Sequence, residues 1–154
     1  MPHEGMVHAL EEVHRLLRST GRLIEIHPAV EVPFVIVRSD GTVAFAERDP
    51  GYDYEEDLLQ AEAAVATAIE RGAFVREDNR RFELRTHAGS VDELLDHFEI
   101  TGSYDPEEKD PDLLRQRDEM YQRATEALER SPSTVRELIY VEPARMTRLT
   151  PTKV

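Results

Sequence analysis

The sequence predicts a mixed α/β (α+β) fold, a small mixed sheet flanked by helices, on three observations. Helix-period and strand-period apolar patterns alternate along its 154 residues. Ala9–Pro28 reads as a helix, a tight turn and a strand, and Asp40-Gly41 between two apolar runs is a hairpin signal. With 40% hydrophobic residues, one domain of this length can bury a real core.

The elements follow in order. Val7, Leu10, Val13 and Leu17 recur at helical spacing with Glu11, Glu12, Arg15 and Arg18 between them, an amphipathic helix with one buried stripe. Ser19, Thr20 and Gly21 predict its end, with Gly21 in the left-handed conformation. Leu23, Ile24 and Ile26 make a short apolar strand closed by Pro28, the kind found in a parallel α/β unit. Phe34–Arg48 reads as the hairpin. Asp53–Arg71 is a long helix with an acidic first turn and Gly72 behind it. Its face of Ala61, Ala64, Val65, Ala68 and Ile69 suits close packing on a sheet. Ala73–His87 is either a second hairpin around Asp78-Asn79 or one bent strand. Ser90 and Glu93 form a capping box for a helix that Gly102 closes, and the acidic stretch Tyr104–Pro111 is a loop. Asp112–Arg130 is a further helix ended by Ser131-Pro132-Ser133. Thr134–Leu149 is a final strand that Pro143 interrupts by a bulge or an edge exposure.

The stretch ALEEVHRLLRSTGRLIEIHP, Ala9–Pro28, resembles the helix and following strand in the second half of class I S-adenosylmethionine-dependent methyltransferases. There the segment reads A-L-x-E-x-x-R-V-L-x-P-G-G-x-L. Ala9, Leu10, Glu12, Arg15, Leu17, Gly21 and Leu23 fit, while Ser19 and Thr20 stand where the family has Pro and its first Gly. Ala68–Phe74, AIERGAF, is similar to the end of the next family helix, which runs into an antiparallel strand. The resemblance extends to about Thr86. It implies a sheet like the C-terminal half of a Rossmann-like methyltransferase, with an inserted β-hairpin. The strand 22–27 should lie beside the C-terminal strand 136–141, itself antiparallel to 82–86. The family holds its cofactor with a Gly-rich turn and an acidic residue that precede this region. None of the seven glycines here forms a G-x-G, so no cofactor-binding residue carries over and no cofactor is implied. By resemblance the chain reads as a methyltransferase-like half standing alone.

A net charge of −13 argues against nucleic acid and anionic membranes as partners, since both reward clustered Lys and Arg. There is no cysteine, hence no disulfide or thiolate chemistry, and no apolar stretch of membrane-spanning length. The expected location is cytoplasmic.

His27 follows the first strand, at the end where open α/β sheets bind ligands. With Glu25, Tyr52, Tyr54 and His87 it could line a ligand pocket; the plainer reading has His27 bonded to a loop and the tyrosines packed on the sheet rim. His3, His8 and His14 lie near the N-terminus, but His8 and His14 are six apart on a helix and cannot face one metal together, and the acidic runs Asp53–Asp57 and Asp105–Asp112 lack the calcium-loop pattern. No metal site, catalytic residue or Gly-x-Ser-x-Gly elbow is read.

The expected function is a non-catalytic methyltransferase-like module acting through self-assembly or by binding a protein partner or small ligand. The alternative is a subunit or fragment of a methyltransferase whose cofactor half comes from another chain. In the family the strand 23–26 has a parallel neighbour that this chain lacks, so its edge needs cover. A homodimer using the hairpin, with Phe34, Ile36, Val43 and Phe45, is the expected solution.

Overall fold

The computed structural model describes residues 3–101 and 110–152. Most of the expected loop Tyr104–Pro111, and Gly102, lie outside the described residues. Nine elements follow in order: α1 (His3–Leu16), β1 (Leu23–Pro28), β2 (Phe34–Ser39), β3 (Thr42–Arg48), α2 (Glu55–Glu70), β4 (Phe74–Ala88), α3 (Val91–Thr101), α4 (Pro111–Arg130) and β5 (Arg136–Pro151). Among the described residues, four helices and a five-stranded antiparallel sheet make the mixed α+β class that the sequence predicts.

The chain divides into two compact units. The first takes residues up to Glu31, Tyr54–Phe82 and the chain from Pro143 onward. Here β1 pairs antiparallel with the second half of β5, from Leu23 opposite Leu149 to Pro28 opposite Ala144. The first half of β4 is held to the same strand, for example by Asn79 Nδ2 donating to Thr147 Oγ1 at 3.3 Å. Leu10, Val13 and Leu17 of the α1 stripe and Val65, Ala68 and Ile69 of α2 pack with Leu23, Phe74 and Leu149. Because strand side chains alternate, the face bearing Leu23 and Leu149 is the helix-covered one, and Ile24 and Ile26 point the other way. They are 48% and 56% exposed.

The second unit takes Val32–Asp53 and Glu83–Glu142. Here β2 pairs antiparallel with β3 and with the first half of β5, Phe34 facing Val141 and Ser39 facing Arg136. Val35, Val37, Leu138 and Tyr140 meet Val91, Leu94 and Phe98 of α3 and Met120, Tyr121, Ala124 and Leu128 of α4. The hairpin turn is as predicted: Asp40 (φ 50°) and Gly41 (φ 76°) both take the left-handed conformation, which matches the twist of the flanking strands.

Several expectations change in detail. The strand 23–28 is antiparallel, and its partner is 144–149 rather than 136–141, which the hairpin occupies through β2. The hairpin therefore does not fold along the β1 edge. Gly21 is not left-handed; a Cβ there would meet Leu17 Cδ2 at 2.9 Å and the Arg18 carbonyl oxygen at 3.0 Å, in the segment just past α1. Gly72, which follows α2 as expected, is the left-handed one, with φ 79°. Of the two readings of Ala73–His87, the single strand holds: residues 74–88 are one strand without a turn at Asp78-Asn79. Pro143 interrupts nothing. Its carbonyl accepts from Ala29 N at 2.7 Å, in continuation of the β1–β5 register. In an antiparallel ladder the N–H and C=O of one residue point to the same side. Pro143, with no N–H, cannot return the bond, so this pair at the end of the β1–β5 ladder is held from the Ala29 side alone.

A buried ionisable cluster as the candidate functional site

β1 reverses the usual polarity of a half-buried strand. Its isoleucines face outward, while Glu25 and His27 lie on the helix-covered face with their side chains only 17% and 10% exposed. The β1–β5 register brings His27 opposite Arg145 and Glu25 opposite the buried Thr147. From α2, Glu62 reaches Arg145 Nη1 at 2.9 Å. Four ionisable side chains from three elements thus share one largely buried place within the first unit.

The geometry inside it is specific. His27 Nδ1 lies 2.7 Å from the Pro28 carbonyl oxygen, which fixes that nitrogen as the donor. Nε2 then faces Glu25 Oε1 at 3.7 Å. Glu25 Oε2 and Arg145 Nε, both buried, have no hydrogen-bond partner among the described residues. Burial pushes the Glu25 carboxyl above its ordinary range; His27 and Arg145 pull it down in part, and Glu62 pushes it up. The arrangement can store and exchange a proton. It presents no activated nucleophile, and among the described residues no group of three or more potential ligands could hold a metal.

No family model, curated protein or solved structure matches this chain. The reading therefore rests on the residues themselves.

Of the five residues singled out in the sequence, the structure brings Glu25 and His27 together. Tyr54 heads α2, its carbonyl accepting from Leu58 N at 3.0 Å. Tyr52 and His87 belong to the second unit. There Tyr52 N donates to the Asp49 carbonyl at 3.3 Å, and His87 Nδ1 lies 2.8 Å from Glu137 Oε2. Glu62 and Arg145 were not read as site residues. A signal existed for Glu62, since Leu58, Glu62, Val65 and Ile69 follow one helical stripe and put a carboxylate in an apolar row. Arg145 had none, because which strand it would face depends on register.

The second unit has its own buried polar group. Asp49 and Arg117 are 3% and 5% exposed, with Arg117 Nε 3.6 Å from Asp49 Oδ1. Gly51 N donates to Asp49 Oδ1 at 2.9 Å and Tyr140 Oη to Oδ2 at 3.2 Å. Burial, then the Asp49 charge, pushes the Tyr140 hydroxyl far above its ordinary range, so it stays a donor. This group ties the segment after β3 to α4 and β5, a packing role.

Proposed function

We propose that the chain is a non-catalytic, methyltransferase-like module that acts through self-association, with β1 as the contact element. One observation carries it: β1 is an edge strand that turns two half-exposed isoleucines outward. The Ala29–Pro143 bond sets the phase of the ladder, so Leu23, Glu25 and His27 spend their backbone groups on β5. Those of Ile24 and Ile26 point outward from the edge, and such a row is a template for another strand. The other long edge is protected differently. β4 carries Arg76, Glu77, Asp78, Arg80, Arg81, Glu83 and Arg85, charges of the sort that discourage strand addition.

A second copy supplies the same groups in reverse order. Two-fold antiparallel pairing of β1 with β1 would satisfy the outward backbone groups of both and shield the isoleucines. Pairing through β1 replaces the hairpin in the dimer expected from sequence, since Phe45 packs against the helix-side core of its own unit. The lack of any G-x-G supports the non-catalytic part.

Light scattering at micromolar concentration should return twice the chain mass. Ile24→Lys with Ile26→Lys should return a folded monomer, and a wild type that is strictly monomeric removes the proposal.

A further inference from the structure

We infer that the β1–β1 pair is two-fold about Glu25, with Ile24 opposite the partner's Ile26, and that this register sets the two Glu25 carboxylates against each other. The inference rests on self-association through β1; it adds the register and names the residue that limits the strength of the contact.

In β1 the outward backbone groups belong to Ile24, Ile26 and Pro28, which leaves three two-fold registers that use the isoleucines. Pro28 is a poor partner. It has no N–H, and its carbonyl already accepts from His27 Nδ1 at 2.7 Å. A two-fold axis at Ile26 joins that residue to its own copy but puts Ile24 opposite the partner's Pro28, where no N–H can return the bond. An axis at Ile24 moves Ile26 opposite the partner's Arg22, a residue that precedes β1. Arg22 is engaged elsewhere: its Nη1 donates to the carbonyls of Thr20 and Gly21 at 3.2 and 2.8 Å, and its Nε lies 3.1 Å from Glu77 Oε1.

An axis at Glu25 has neither defect. Ile24 and the partner's Ile26 exchange two backbone bonds, and Ile26 and the partner's Ile24 exchange two more. Because side chains alternate, all four isoleucines then meet on the outward face as directly opposite pairs.

The same register has a cost on the other face. Glu25 turns toward the helix-covered side, and at the axis it stands directly opposite the partner's Glu25 in a pair without backbone bonds, where Cα atoms approach to about 4.5 Å. Like charges directly opposite destabilise a strand pair. Arg145, across from this strand, is already held by Glu62 at 2.9 Å. Glu25 therefore acts as a brake on assembly.

The chain has no cysteine, so introduced cysteines report the register by oxidation at a concentration where the wild type is dimeric. An equimolar mixture of Ile24→Cys and Ile26→Cys chains should give a mixed disulfide dimer, identified by mass spectrometry of the linked peptides. Residues opposite each other there lie about 5.5 Å apart, within disulfide reach. Either variant alone should cross-link far less, since its two copies are diagonal neighbours at roughly 8 Å. Glu25→Gln, neutral and of the same shape, should lower the dimer dissociation constant about two- to fivefold in analytical ultracentrifugation. Efficient cross-linking of Ile24→Cys or Ile26→Cys alone, or no mixed product, overturns the register while a wild type of twice the chain mass keeps self-association. A strictly monomeric wild type removes both. An unchanged or raised constant for Glu25→Gln also overturns the inference; should that variant not fold, the cross-linking decides alone.

Discussion

The Asp49 carboxylate and the Arg117 guanidinium are buried together, and each makes the other tolerable. Removing Asp49 takes a carboxylate from beside the buried Arg117 guanidinium and an acceptor from Gly51 N and Tyr140 Oη. Asp49→Ala should therefore lower stability by about 3–5 kcal/mol, measured by urea denaturation, while a double change that replaces both by apolar residues should cost much less. Gly51 belongs to the same arrangement. A Cβ there would lie 2.6 Å from Arg117 Cδ, so Gly51→Ala should also destabilise, and recovery in Gly51→Ala with Arg117→Ala would identify the clash as the cause. None of this was legible in the sequence. Asp49-Pro50-Gly51 reads locally as a turn, and nothing near it in the chain announces an arginine on α4. Glu25 and His27 were legible as neighbours on a strand, but the face they share was not. An isoleucine pair beside an acid and an imidazole predicts the isoleucines inside, and the structure puts them outside.

The start of α3 and the end of α2 followed from local chemistry, whereas α1 ends at Leu16, short of the expected Ser19–Thr20. Ser90 Oγ accepts from Glu93 N at 3.1 Å, the predicted cap of α3. The return bond runs from Gly89 N to Glu93 Oε2 at 2.6 Å, one residue before the cap. Ser90→Ala should cost about 1 kcal/mol by thermal unfolding. Asp110 Oδ1 caps α4 in the same way, accepting from Asp112 N at 2.8 Å, with Pro111 at the first helical position. Gly72 ends α2 with φ 79° and nothing near the place a side chain would occupy. Gly72→Ala should thus cost about 1–2 kcal/mol from backbone conformation alone. The hairpin at Asp40-Gly41 was equally readable. Strand pairing was less so: β1 looks like a strand in isolation, but its direction and partner are set by β5, and β5 pairs with two different strands in succession on that side.

At the scale of the molecule, the methyltransferase-like reading makes a clear statement about ligands. Calorimetric titration of the full chain with S-adenosylmethionine should give no binding, because no Gly-rich turn is present to bring backbone N–H groups to the ligand. Micromolar binding would instead favour a methyltransferase subunit. The division into two units was hidden from the sequence, since both have the same alternation of helices and strands. β4 and β5 each contribute residues to both units.

That β1 pairs with 144–149 has a meaning in time as well as in space. A ribosome delivers Ile24 and Ile26 early and the residues that pair with their strand late. Through most of translation β1 is unpaired on both edges, and a pairing this distant in sequence is slow to close even once the chain is released. The second unit, whose last segment ends at Glu142, can complete its strand pairing first. The nascent chain should accordingly resist protease in the second unit before it does so in the first, and during that interval β1 is the segment most in need of a chaperone.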